Sequence, residues 1–312
     1  MAYMDDYFAV ECVHSASDAQ QFFSFLNELI GAEIKHEKDV PPSAALVLLG
    51  LQIDLSTNDF TVTVTPDRRL KLREHLLRIQ SDHDRIDSKL TGKLSFCCEA
   101  LYGRSGRGPV RLLIRKAAGL PVADDLVSQA ISLLVDIFAS PPPCAYPLAD
   151  LNTRLQPYIC YADAATSTGK IAVYGPPQLG LSALYSTVPT GLHDNINILE
   201  FLALALAITT FHNKVPQQPL IVFSDSKVAE LALLRGSSSS GLLCLAIHRF
   251  WLELARLPSF VFFVAHVKSE CNPADALSRN NFDVIWLNDA VLLPASLPQW
   301  CSDPAFGVSG SL

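Results

Sequence analysis

The sequence has no apolar run long enough to cross a bilayer. The longest near a helix length, Ile198 to Phe211, contains Glu200 and falls short of the about 20 residues a span needs. No basic n-region opens the chain, which begins Met1-Ala2-Tyr3-Met4-Asp5-Asp6, so no secretory signal is expected. None of the eight cysteines (Cys12, Cys97, Cys98, Cys144, Cys160, Cys244, Cys271 and Cys301) forms a C-x-x-C pair, and several sit in apolar runs. That spacing argues against zinc and disulfides and predicts reduced thiols in a cytosolic or nuclear protein that is not secreted. Charge is also sparse. Only 18% of the 312 residues are charged against 49% hydrophobic, which excludes a disordered chain and leaves length for two domains.

The net charge of −7 would argue against a polyanion ligand, but the charges are unevenly placed. Residues 1–60 carry 2 basic and 10 acidic groups, whereas residues 61–119 carry 13 basic and 6 acidic. Residues 120–149 and 281–312 have no basic residue at all. One segment near +7 in an acidic chain is where a polyanion would be held.

Residues 1–10 alternate around Asp5-Asp6 and predict a hairpin. Phe22, Phe23, Leu26, Leu29 and Ile30 predict an amphipathic helix from Ser17 to Ile30, with Gly31 as its stop. Ala44 to Asp54 and Phe60 to Val64 are β-rich runs separated by Ser56-Thr57-Asn58-Asp59. Helical periodicity follows over 66–81, 86–102, 108–118 and 120–139, until Ser140-Pro141-Pro142-Pro143 breaks the chain. From Tyr158 the pattern changes. Strands are expected at Tyr158–Asp163, Ile171–Tyr174, Ala183–Val188, Leu220–Ser224 and Phe260–Val267. Helices are expected at Asn195–His212, Lys227–Leu234, Gly241–Arg256 and Pro273–Arg279. This is a mixed α/β layer pattern with five strands. Residues 281–312, with Trp286 and Trp300 but no periodicity, read as a linker or a poorly ordered end.

Four carboxylates stand out in this second half. Asp163 lies in the first strand, Glu200 in the most apolar helix, Asp225 at the end of the strand Ile221-Val222-Phe223, and Asp275 at the start of the last short helix. Each has a plainer reading alone: Asp225 and Asp275 could be helix N-caps, and Glu200 an exposed helix position. Together they sit where strand ends and a facing helix can meet. A carboxylate among apolar neighbours is costly unless it is paired, hydrogen-bonded or bound to metal. Hard oxygen ligands suit Mg²⁺ or Mn²⁺, and two such ions about 3.5–4 Å apart suit hydrolysis of a phosphodiester.

The motifs around these residues resemble those of a type 1 ribonuclease H. Tyr161-Ala162-Asp163-Ala164-Ala165 is similar to its first strand, Ile198-Leu199-Glu200 to its second site, and Val222-Phe223-Ser224-Asp225-Ser226 to its third. Val267-Lys268-Ser269-Glu270-Cys271-Asn272-Pro273-Ala274-Asp275-Ala276-Leu277-Ser278-Arg279 is similar to the last motif as retroelements write it. The resemblance covers about 156–280. It implies Asp163, Glu200, Asp225 and Asp275 as catalytic ligands of two Mg²⁺ or Mn²⁺ ions, and cutting of the RNA strand of an RNA–DNA hybrid. Family members can carry a mobile His before the last Asp; His266 lies earlier and has a strand reading as its alternative.

The first half resembles the end of a retrotransposon reverse transcriptase. Tyr3-Met4-Asp5-Asp6 looks like the metal-binding hairpin of its palm, Lys38 like a palm lysine, and Leu48 to Asp54 like its primer-side hairpin. The helices over 66–118 look like its thumb. The resemblance implies Asp5 and Asp6 as metal ligands. That palm also uses an Asp on an upstream strand and a fingers subdomain, which this sequence does not contain, so no polymerisation by the chain alone is expected. Arg104, Arg107, Arg111, Arg115 and Lys116 lie within 13 residues with no acidic group among them, a pattern suited to phosphate contacts. A solvated surface face is its plainer reading.

The expected organisation is a partial α+β palm over 1–65, thumb or connection helices over 66–140, a linker over 141–155, a ribonuclease H domain over 156–280 and a tail over 281–312. The expected fold of the main domain is a ribonuclease H-like α/β mixed five-stranded sheet with flanking helices. The expected function is two-metal hydrolysis of RNA–DNA hybrids, with no membrane association. Two alternatives stand beside it: a nucleic-acid-binding relic without catalysis, and a reverse transcriptase half that needs a missing N-terminal part as partner.

Overall fold

The computed structural model describes residues 2–3, 6–7, 11–31, 39–56, 59–81, 84–101, 104–142, 144–147, 156–175, 183–212, 219–257, 261–287 and 291–302. Strands β1 (Ala2–Tyr3) and β2 (Asp6–Tyr7) pair antiparallel, Tyr3 opposite Asp6. Asp5 and Lys38 lie outside the described residues, and of Asp6 only the backbone is described. Helix α1 (Ala16–Leu29) forms at the expected place, but its apolar side is open: Phe22, Phe25 and Leu29 are exposed, and Asn27 is its one buried residue.

The β-rich run over 44–54 is two strands rather than one. β3 (Ala45–Leu48) and β4 (Leu51–Asp54) turn at Leu49-Gly50, both with positive φ (51° and 80°), as a tight two-residue hairpin favours. Leucine at the first of these positions hid the turn from the residue pattern; only the resemblance placed a hairpin over Leu48 to Asp54. β5 (Asp59–Val64) pairs with β4, and β6 (Cys144–Pro147) pairs with β5, giving an antiparallel sheet in the order β3-β4-β5-β6. The stretch after the proline run thus returns to the first sheet.

Between β5 and β6 lie four helices: α2 (Pro66–Gln80), α3 (Ser88–Cys98), α4 (Arg107–Ala117) and α5 (Asp124–Ala139). Each turns an apolar stripe inward. Leu72 and Leu76, Leu90 and Leu94, Leu112 and Leu113, and Leu134 and Phe138 are all buried in one cluster.

The second half is a mixed six-stranded sheet in the order β11-β10-β7-β8-β9-β12. Its strands are β7 (Tyr158–Ala165), β8 (Lys170–Tyr174), β9 (Ala183–Thr187), β10 (Leu220–Ser224), β11 (Phe262–His266) and β12 (Leu292–Pro294). The meander β7-β8-β9 is antiparallel; β10 runs parallel to both β7 and β11. The five-strand expectation is therefore short by one. β12 comes from the segment read as structureless and runs parallel to β9, with Leu292 opposite Ala183. Three residues at a sheet edge are too few to show a period of two.

Helix α6 (Ile196–His212) is buried on nearly every side, which explains its lack of amphipathicity. It lies on the sheet, with α7 (Lys227–Arg235) and α8 (Gly241–Leu254) against it; Phe201 and Phe250 meet edge to face at 5.7 Å. The short α9 (Ala274–Ser278) covers β7 and β8. The two halves share one core because α4 seats on α8. At that seam Gly108 is indispensable: a Cβ there would stand 2.2 Å from the Cys244 carbonyl oxygen. Gly108→Ala should therefore cost about 1–3 kcal/mol or more, since overpacking against backbone cannot relax by a side-chain shift. A thermal melt unchanged from wild type would refute this close seating.

Candidate metal centre

The centre is built by three elements that meet at one end of the sheet. Asp163 sits within β7, where α9 covers its face, and is 2% exposed. Glu200 sits in the first half of α6 and is 8% exposed, so the exposed-helix reading of this residue does not hold. Asp225 follows the last residue of β10. Its capping alternative also falls, because the Ser226 side chain caps α7 by accepting from the Ala229 amide. Asp163, Glu200 and Asp225 each offer a carboxylate oxygen within 4.8 Å of the other two.

Asp275 behaves differently. It lies near the start of α9, but the Arg279 Nε donates to its Oδ1 at 2.7 Å, one helical turn on, and it is not among the three converging ligands. His266 ends β11, exposed, in register with Ser224.

Three carboxylates so close repel one another by a few kcal/mol per pair at an effective dielectric near 20. Burial adds to the cost. It is the main cause that raises the Asp163 carboxyl to about 7, against the Ser278 hydrogen bond and reinforced by the charges of Asp225 and Asp275. Burial likewise raises Glu200 to about 9, with Asp163, Asp225 and Asp275 adding to it. The Oε2 of Glu200 and the Oδ1 of Asp225 are buried with no hydrogen-bond partner among the described residues. Unpartnered acceptors in an all-oxygen donor set fit a hard divalent cation.

Residues from the last motif hold the ligands in place. Ser278 Oγ donates to Asp163 Oδ2, and Asn272 Nδ2 donates to the Ala162 carbonyl at 3.1 Å and to Asp163 Oδ1 at 3.4 Å. Ser269 Oγ donates to Asp225 Oδ2. From the sequence, the motif points first to Asp275. The signal for Ser278 was its position three residues after Asp275, which puts both on one side of α9.

The basic segment is partly committed elsewhere. Lys116 pairs with Asp124 at 2.8 Å, and Arg107 donates to Glu99. Arg115 donates to the Ser239 carbonyl at 2.7 Å, and the Cβ of Arg104 would press on any side chain at Gly236. Arg111 is exposed with no ion pair among the described residues. No helix among the described residues is long and apolar enough to cross a membrane.

No family model matches the chain, and no curated protein matches it. Among solved structures it is similar to the foamy viral protease-reverse transcriptase in complex with RNA/DNA hybrid. That match has 13% identity and a TM-score of 0.34, over 88% of this chain and 36% of that one. It is also similar to the foamy viral protease-reverse transcriptase dRH in complex with double-stranded DNA (16% identity, TM-score 0.25, 86% and 47% of the two chains). A third, with double-stranded DNA, has 13% identity, a TM-score of 0.22 and coverage of 95% and 57%. The chain thus spans less than three fifths of each. At such low scores, what the centre can do follows from its own geometry.

Proposed function

We propose that the chain is a ribonuclease H-type hydrolase that cuts the RNA strand of an RNA–DNA hybrid. The observation that carries this reading is the convergence of Asp163, Glu200 and Asp225 within 4.8 Å, with two of their buried oxygens left unpartnered among the described residues. Asp163, Glu200 and Asp225 would hold divalent cations, with Mg²⁺ or Mn²⁺ favoured by the oxygen donors. Such cations supply charge neutralisation and activation of water for attack on a phosphodiester. Ser278 and Asn272 fix the orientation of Asp163, Ser269 fixes that of Asp225, and Glu200 brings an unpartnered oxygen from the helix side. Asp275, with Arg279 beside it, contributes negative field at the rim and is the fourth ligand the resemblance implies.

The test is cleavage of an end-labelled hybrid with Mg²⁺ or Mn²⁺, beside duplex RNA and duplex DNA. Cutting of the hybrid alone, lost in Asp225→Asn, is the expected result. A folded wild-type protein that binds the hybrid and cuts nothing with either ion would overturn the enzymatic reading and leave the binding relic.

A further inference from the structure

A second site lies at the seam between the two halves. A cleft of about 350 Å³ is lined by Arg107, Arg111 and Arg115 of α4 and by Arg235 at the end of α7, with Glu99 as its single acidic group. Glu99 takes Arg107, and Arg115 is oriented by two backbone carbonyls, which leave its charge uncompensated. Arg111 and Arg235 are exposed and unpaired among the described residues. Arg235 comes from the other half of the sequence, 120 residues beyond Arg115, so no reading of the basic segment by itself would have included it.

The cleft is rigid because the seam is tight. Gly236 closes α7 with φ of 70°, and a Cβ there would stand 2.2 Å from the Arg104 Cβ. That close approach, together with the Gly108–Cys244 contact and the Arg115–Ser239 bond, holds Arg235 facing α4.

We infer that this composite cleft is an anchor for the phosphate backbone of a nucleic acid, with Arg111 and Arg235 as its two free cations. The identity of its ligand rests on the proposed hydrolase function. Charge decides the class of ligand: four guanidiniums face one carboxylate, and guanidinium forks match phosphate oxygens. Position decides its use. α7 begins directly after Asp225 and Ser226 and ends at Arg235, nine residues or about 14 Å later. At about 3.4 Å of rise per nucleotide, the length of α7 corresponds to about four nucleotides, the spacing the anchor would impose. The anchor thereby sets where along the strand the centre acts.

The experiment measures hybrid binding against salt for the full chain, with Ca²⁺ in place of Mg²⁺, for wild type, Arg111→Gln, Arg235→Gln and the double variant. Each lost phosphate contact should flatten the log–log salt slope by nearly one, so the double variant's slope falls by about two. Between 50 and 200 mM salt the double variant then loses about tenfold less affinity than wild type. Melting temperatures should match wild type, as both side chains are exposed. An unchanged slope in the double variant, or no hybrid binding by the wild type, overturns the anchor. Flattened slopes with no cleavage of any substrate would remove the hydrolase function and keep the anchor. Cleavage with unchanged slopes would do the reverse.

Discussion

Glu200→Gln is expected to slow hybrid hydrolysis by at least about 100-fold, yet to raise the melting temperature of the metal-free protein at pH 7.5. Loss of even an outer partner of a metal ligand costs 10–100-fold, so loss of a ligand should cost more. The stability change has the opposite sign for a physical reason. Glu200 is buried, its carboxyl is raised to about 9, and its Oε2 has no partner among the described residues. A glutamine of the same shape carries no charge to desolvate and offers two donors to the neighbouring carboxylates. The paired measurement is a cleavage rate with Mg²⁺ and a thermal melt in chelator. A fall in both would make Glu200 a structural carboxylate rather than a site held ready for a cation.

The metal-free protein should lose stability as pH rises from about 5 to 8, and a divalent cation should restore it at pH 8. Asp163 titrates near 7 in the folded protein against an ordinary 3.8, and Glu200 near 9 against 4.5. Between the unfolded and folded values the folded state binds more protons, so the unfolding free energy falls with rising pH. The favourable contribution is complete below about pH 4 and is lost as pH climbs through the two folded values. Mg²⁺ binds the deprotonated ligands, so its stabilisation should be several degrees at pH 8 and small at pH 5. Melts in chelator and in millimolar Mg²⁺ at the two pH values test this. Equal Mg²⁺ shifts at both would show that the cation acts away from the triad.

The sequence by itself determined the order of strands and helices from β7 to α9 and which carboxylates could converge. Helical and strand periods are local, and each of the three converging acids lies in an apolar context that only a partner would justify. The final motif marked the segment that carries Asn272 just before α9 and Ser278 within it, although Asp275 is its one acid in that helix. Tertiary structure decided what depends on distant contacts. Asp275 is drawn to Arg279, a pairing that competes with convergence and can be resolved only by the fold of α9 on β7. β12 exists because β9 offers an unpaired edge, and β6 because β5 does; neither short strand carries a pattern of its own. Leu49 in a left-handed turn is a local strain that the β3–β4 ladder imposes on it. The cationic cleft needed both halves, because Arg235 lines it beside Arg111 only through the seating of α4 on α8, which a glycine permits at one position.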